Sequence, residues 1–347
     1  MLAILIAIFI LFLIRALTKK KTLSIWIGVV LFVVSAAKNI AVNSDLPVYE
    51  YSYLSMKSYA LRDLWNNYIA GTEKDFGFYF FSNLFSELGF GVGVWFGIIA
   101  LIFAILVAVS LYQNSSDPFI SVIILFAFYF AFTLSGLRQT IAMGLVLLSY
   151  RYIREKKIWP YLAILVVAFF FHSSVIIFFP AYWLAHFKIG YKQLIVVGAA
   201  FIVCYSLPQL VFANMELIVS AWNLPWHFSQ VTALNWSGYI IQLCLLVFCY
   251  VFRLNVPLEQ RKAYVDPYIN LMVIGLCLQG ASSIVGEAFR LSYYYSMAGM
   301  LALPNIITNM ERNNAKLAYL GVCGVLIAYI VYANSYAGFT FFEGILS

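Results

Sequence analysis

The stretch VGVWFGIIALIFAILVAVSLY, residues 92–112, contains no charged side chain. An α-helix needs about 20 predominantly apolar residues to cross the hydrocarbon core of a bilayer. This stretch therefore predicts a membrane-spanning helix, and it decides the fold class.

The rest of the chain has the same character. Of its 347 residues, 64% are hydrophobic and 10% are charged, and the mean hydropathy is +0.92. Soluble domains carry about 25% charged residues, so this composition excludes soluble enzymes, nucleic-acid-binding proteins and disordered proteins. The net charge of +7 is attributed to membrane topology and predicts no nucleic-acid partner. The five cysteines lie in apolar runs without metal-ligand spacing and are interpreted as buried thiols.

We predict an all-α, polytopic integral membrane helical bundle that forms a single membrane domain over residues 1–347. Because several apolar segments are short, we expect about 10–12 transmembrane helices, some of them broken, around an outward-facing cavity. The segments within 119–152 and within 158–186 form either tight hairpins or broken helices. The candidate spans are 1–17, 23–42, 92–112, 119–135, 137–152, 158–171, 174–186, 194–211, 237–252, 267–285, 291–308 and 317–335.

The distribution of positive charge predicts the orientation. With the N-terminus outside, 15 of the 21 Lys and Arg residues lie on the cytoplasmic side. The six on the outer side are Lys38, Lys57, Arg62, Lys74, Arg138 and Arg290. Two outer loops, 43–91 and 212–236, are long enough to hold structure. Apolar residues in the first recur with helical spacing from Leu61 to Ile69, which predicts an amphipathic extracytoplasmic helix near 58–70.

The segment TLSGLRQTIAMGL, residues 133–145, places Arg138 and Gln139 at the start of a helix on the outer side. A guanidinium there adds to the positive end of the helix dipole, which suits a phosphate. The alternative is a snorkelling Arg that only anchors a span.

The segment FFFHSSVIIFFP, residues 169–180, places His172 and Ser173 in an otherwise apolar run. A His at this depth is either a general base or acid, or a neutral side chain whose hydrogen bonds are satisfied within a helix turn.

Near the C-terminal end, Glu287 and Arg290 stand three residues apart and are followed by Tyr293 and Tyr294. This spacing fits an ion pair on one helix face. It also fits a cation for substrate phosphate with a carboxylate beside it, and tyrosines that bind sugar.

The loop 43–91 combines aromatic rings with carboxylates, which suits a carbohydrate surface, although a solvated interfacial loop is an equal alternative. Its candidate substrate-binding residues are Asp45, Tyr49, Glu73 and Asp75. No metal-ligand spacing appears on the outer side, so we expect chemistry without a metal or another cofactor.

Several short motifs occur together in a fixed order, and together they resemble the EpsG-like family of Wzy-type polysaccharide polymerases. The resemblance covers roughly residues 40–310. The motifs are Asp45 with Tyr49, EKDFGFYFFSNL at 73–84, LRQTIA at 137–142, SYRYIREKK at 149–157, FHSS at 171–174, FFP at 178–180, E-x-x-R at 287–290 and Pro304. Ser44 precedes Asp45 where a Gly is commoner in the family, so the contribution of that motif is less secure.

The resemblance implies a membrane glycosyltransferase in the bacterial cytoplasmic membrane, with its active site facing outward. A glycan chain would leave its polyprenyl-diphosphate carrier and join a hydroxyl of another lipid-linked repeat unit. Arg138 and Arg290 would hold diphosphate, and His172 or Glu287 would act at the reacting hydroxyl. The partners would be lipid-linked oligosaccharide, membrane lipid and a possible chain-length regulator.

Two other functions fit a polytopic chain with an arginine-lined cavity. A transporter or flippase for lipid-linked oligosaccharide predicts internal repeats and charges near the bilayer midplane, neither of which the sequence shows clearly. A membrane O-acyltransferase would also use a His, but no route for an acyl donor is evident.

Overall fold

The computed structural model describes residues 1–38, 45–187, 190–206, 213, 217, 235–283, 288–333, 335, 336, 339 and 341. Within these ranges the regular secondary structure is helical, apart from an isolated antiparallel bridge between Lys38 and Phe341. This confirms the predicted all-α fold.

The chain divides into two compact units, and the prediction of a single domain remains a prediction. The first unit comprises Met1–Phe179 and Glu311–Ser347, and the second comprises Pro180–Met310. Helices of the first unit are α1 (Leu2–Leu17), α2 (Lys20–Ala36), α3 (Leu46–Ser55), α4 (Leu61–Ile69), α5 (Phe76–Glu87), α6 (Val92–Asn114), α7 (Pro118–Phe128), α8 (Phe130–Thr133), α9 (Leu137–Arg154), α10 (Ile158–Phe171) and α18 (Arg312–Ala333). Helices of the second unit are α11 (Ala181–Leu184), α12 (Tyr191–Ser206), α13 (Trp236–Phe252), α14 (Leu258–Tyr264), α15 (Asp266–Gly280), α16 (Ala288–Ser296) and α17 (Gly299–Ile307).

Three helical segments in the described part of the chain are long and apolar enough to cross a membrane. They are Val92–Asn114, Trp236–Asn255 and Arg312–Ala333. Shorter apolar helical segments cover Leu2–Leu17, Pro118–Phe128, Ile158–Phe171 and Ser173–Leu184. The polytopic membrane fold is therefore confirmed, whereas the number of 10–12 spans remains a prediction.

Both long apolar stretches are interrupted, and the choice between tight hairpins and broken helices remains a prediction. In the first, α7 ends at Phe128 and the chain is again non-helical over 134–136, before α9 begins at Leu137. The second ends its α-helix at Phe171 and continues as a 3₁₀ helix over Ser173–Phe178. Such breaks release main-chain groups from helical hydrogen bonding, and both breaks lie beside predicted site residues.

Close helix contacts fix the positions of these breaks. A Cβ added at Gly77 of α5 would lie 3.0 Å from the main-chain carbonyl carbon, the carbonyl oxygen and the Cβ of Phe170 in α10. Lys38, just beyond α2, donates from Nζ to the carbonyl oxygen of Leu134 at 2.7 Å. The first contact draws α5 against α10, and the second ties the start of α9 to the end of α2.

Two polar contacts involve cations that the predicted topology places on opposite sides of the membrane. Arg15, predicted on the cytoplasmic side, pairs with Asp117 at 2.7 Å. Lys38, predicted on the outer side, contacts Leu134. These contacts separate the two ends of the first unit without showing which end faces the cytoplasm.

The predicted outward-facing cavity remains a prediction. A cavity of about 590 Å³ lies against α1 and α2, lined by aliphatic side chains, Trp26, Phe339 and Phe341. None of the predicted site residues lines it. The amphipathic helix predicted near 58–70 corresponds to α4, which a 3₁₀ turn over Met56–Ser58 precedes.

Candidate functional site

Asp75 is the centre of a polar cluster in the first unit. It immediately precedes α5 in the left-handed backbone conformation, with φ of 60°, a region that Asp tolerates better than most residues. The residue is only 3% exposed. Its side chain accepts no hydrogen bond from its own helix, so both carboxylate oxygens are directed elsewhere.

Three donors from two distant segments converge on this carboxylate. Oδ2 accepts from Arg138 Nη1 at 3.1 Å and lies 3.1 Å from His172 Nδ1. Oδ1 accepts from the main-chain N–H of Ser173 at 2.7 Å. The helix break after Phe171 makes the last contact available, because a continuous helix would direct that N–H to its own carbonyl four residues earlier.

These donors stabilise the ionised form of Asp75. Burial alone raises the pKa of a carboxyl. The hydrogen bond with His172, the N–H of Ser173 and the charge of Arg138 outweigh burial and hold the pKa of Asp75 below its ordinary value. The site therefore carries a buried, charged carboxylate at neutral pH.

The contact with Asp75 determines the chemistry of His172. An ionised carboxylate can only accept hydrogen bonds, so Nδ1 of a neutral His172 carries the proton and Nε2 has a free lone pair. The side chain is 24% exposed, which allows a substrate to approach. This is the arrangement in which a carboxylate orients an imidazole as a general base.

Arg138 lies at the second position of α9, between Asp75 and Tyr49. Nε donates to the Tyr49 hydroxyl at 3.5 Å, and Cζ lies 5.7 Å from the centre of the Tyr49 ring. The two N–H groups of Nη2 make no hydrogen bond within the described part of the chain, and the side chain is 32% exposed. Arg138 is thus anchored by Asp75, and it keeps donors for an anion.

The other predicted residues of this region are placed differently. Tyr49 is 9% exposed and supports Arg138, and Gln139 is 3% exposed. Both side chains are buried, and their substrate-binding role stays a prediction. Asp45 and Glu73 are exposed on the surface.

The predicted residues of the second unit are described separately. Arg290 is exposed in the first turn of α16, with Cζ 5.6 Å from the centre of the Phe289 ring. Tyr293 is partly exposed, but Tyr294 is fully buried. The sugar-binding role of both tyrosines stays a prediction. Glu287 lies outside the described residues.

The sequence did not indicate the contacts of Gly77 with Phe170 and of Lys38 with Leu134, which lie beside the cluster. The run DFGF at 75–78 contains the only available signal for Gly77, a small residue between two aromatic ones. No group of three or more potential metal ligands occurs in the described ranges, and metal independence remains a prediction.

The sequence profile of the EpsG family matches residues 21–343. This chain belongs to the EpsG family. The match includes the whole Asp75 cluster and Arg290. No curated protein and no solved structure matches the chain. Family membership indicates a role of the polysaccharide polymerase type, with a lipid-linked polysaccharide substrate in a membrane.

Proposed function

We propose that this EpsG-family protein polymerises oligosaccharide repeat units at the extracytoplasmic face of the bacterial cytoplasmic membrane. The glycan chain on one polyprenyl diphosphate is transferred to a hydroxyl of a second lipid-linked repeat unit. The observation that carries the proposal is the Asp75 carboxylate shared by His172 and Arg138. It joins a general base and an anion-binding group in one cluster.

The proposed reaction uses each member of the cluster once. His172 Nε2 takes the proton of the acceptor hydroxyl while that oxygen forms a bond to the anomeric carbon of the donor glycan. The bond between the anomeric carbon and the diphosphate oxygen breaks, and polyprenyl diphosphate leaves with the electron pair. Asp75 stabilises the imidazolium that forms, which then returns its proton to solvent or to the released diphosphate.

Arg138 stabilises the negative charge that develops on the leaving diphosphate. Its fixed guanidinium plane allows two parallel hydrogen bonds to phosphate oxygens, and the unused Nη2 donors supply one side of such a contact. We propose Arg290 as the second cation, and Glu287 as a competing candidate for the base.

A polymerisation assay tests the proposal. The full-length protein is reconstituted with lipid-linked oligosaccharide extracted from the producing bacterium after deletion of this gene, with and without EDTA. We expect a ladder of products under both conditions, and a rate roughly 100- to 10,000-fold lower for His172→Ala. His186→Ala is the matched control, because its Nδ1 contacts only the local carbonyl of Tyr182 at 2.7 Å.

Three results would contradict parts of the proposal. Lipid-linked substrate that crosses a vesicle membrane without becoming longer would indicate a transporter. Acylation of the glycan would indicate an acyltransferase. Loss of the ladder in EDTA alone would contradict metal independence and leave polymerisation intact.

A further inference from the structure

A cluster of aromatic rings includes Phe76, the residue that follows Asp75 in the chain. We call Trp65, Tyr68 and Phe76 the aromatic platform. The Trp65 and Phe76 ring centres are 5.1 Å apart, those of Tyr68 and Phe76 are 5.7 Å apart, and those of Trp65 and Tyr68 are 5.9 Å apart. Trp65 is 45% exposed, so part of its ring surface is available to a ligand.

The platform is continuous with the catalytic cluster. Phe76 directly follows Asp75 in the chain, and Phe170 stands two residues before His172. The Phe170 ring centre lies 6.3 Å from that of Tyr68. The Phe170 ring thus links the platform to the segment that carries His172.

The chemistry of α4 favours a sugar over a lipid surface. Helices that lie in a membrane interface are rich in Lys and Arg on the polar face. In α4, by contrast, the positive charge of Arg62 is balanced by the negative charge of Asp63. Leu64 packs into the protein and is 4% exposed. Polar side chains such as Asn66 flank the rings, and binding sites commonly combine apolar rings with a few polar groups that orient the ligand.

We propose that the aromatic platform binds a sugar ring of the acceptor repeat unit and directs its hydroxyl toward His172. The C–H face of a pyranose packs on the exposed aromatic surface, and neighbouring polar groups bind the hydroxyls at its rim. This inference rests on the proposed polymerase function, and it assigns the acceptor subsite to α4 and the start of α5.

The test compares substitutions that retain aromaticity with those that retain only apolarity. In the reconstituted assay we expect Trp65→Leu to raise the KM for lipid-linked acceptor about 3- to 10-fold, with kcat unchanged. Trp65→Phe keeps a flat ring and is expected to stay within about twofold of the parent protein. Trp26→Leu is the matched control, because Trp26 is 43% exposed but lies in α2.

Different outcomes separate this inference from the proposed function. An unchanged KM in Trp65→Leu, while His172→Ala is inactive, overturns the platform and leaves the polymerase proposal standing. Normal activity in Trp65→Leu with loss in Trp65→Asn identifies a lipid contact and also overturns the platform. Variants are compared at equal amounts of monodisperse protein, and Trp65→Phe shows whether position 65 tolerates substitution.

Discussion

Asp75 and Asp117 are both buried aspartates that immediately precede a helix and pair with an arginine far away in the chain. Asp117 also caps its own helix, because Oδ1 accepts from the main-chain N–H of Phe119 at 3.1 Å. Asp75 leaves α5 uncapped and accepts from Ser173, His172 and Arg138 instead. A helix cap contributes about 1 kcal/mol of stability, and Asp75 forgoes it to assemble the cluster.

This difference distinguishes a carboxylate that caps a helix from the one that we propose to be functional. The contacts of Asp117 join the end of α1 to the start of α7. Those of Asp75 bring a titratable imidazole beside the arginine, and both of these side chains are partly exposed. Local destabilisation combined with convergent polar groups is characteristic of functional sites.

Removal of each carboxylate gives the largest expected contrast. Asp75→Ala leaves His172 without its orienting partner and Arg138 without its anchor, so we expect a loss of polymerisation of about 1,000-fold. Asp117→Ala should lower the thermal stability and retain specific activity within about twofold. Activity per folded protein, together with the Tm, checks both. Equal losses of specific activity in the two variants would show that Asp75 and Asp117 do not differ in function.

Exchange of each arginine for lysine sharpens the comparison. Lysine keeps the charge but loses the planar fork, so Arg138→Lys should reduce kcat about 10-fold. Arg15 contacts Asp117 through Nη2 alone, and Arg15→Lys should leave kcat unchanged. Full activity in Arg138→Lys would show that positive charge is sufficient at this position.

The close approach of α5 to α10 predicts a smaller effect. In Gly77→Ala the new methyl group meets the main chain of Phe170 at 3.0 Å. We expect the helices to separate slightly, with a fall in kcat of about threefold as the contact between Asp75 and His172 loosens. Gly97→Ala is the control, since nothing lies within 4 Å of its added Cβ. Identical rates would show that α10 accommodates the methyl group.

The pH dependence of stability gives the smallest expected effect. Because the pKa of Asp75 is lowered in the folded protein, its stabilising contribution is present above its ordinary pKa and is lost as pH falls through the folded value. The difference in Tm between the parent and Asp75→Asn should thus shrink as pH falls below about 4. A difference that already shrinks near pH 6 would contradict a lowered pKa.

The sequence predicted the fold class and several members of the cluster because ionisable groups are costly beside apolar spans. Arg138 and His172 interrupt apolar runs, so their positions alone identified them as candidate site residues. Asp75 was recognised only as a loop carboxylate. Its contacts span 63 and 97 positions of the chain, and such pairing has no local sequence pattern.

The burial of three candidate residues could not be predicted from the sequence. Tyr49, Gln139 and Tyr294 have side chains that suit a sugar, but packing has enclosed them, and residue type alone does not distinguish a supporting ring from an exposed one. Lys38 was predicted to be a cation on the outer side. Its hydrogen bond to the Leu134 carbonyl could not be predicted, because it depends on where the helix is interrupted before α9.

The length of α10 has a consequence for competing water. Its 14 residues span roughly 21 Å at 1.5 Å per residue, which is less than the roughly 30 Å of hydrocarbon in a bilayer. In the proposed orientation this length would place His172 beneath the headgroups, where bulk water is scarce. If the proposed transfer takes place there, we expect polymer to form with little hydrolysis of the carrier linkage.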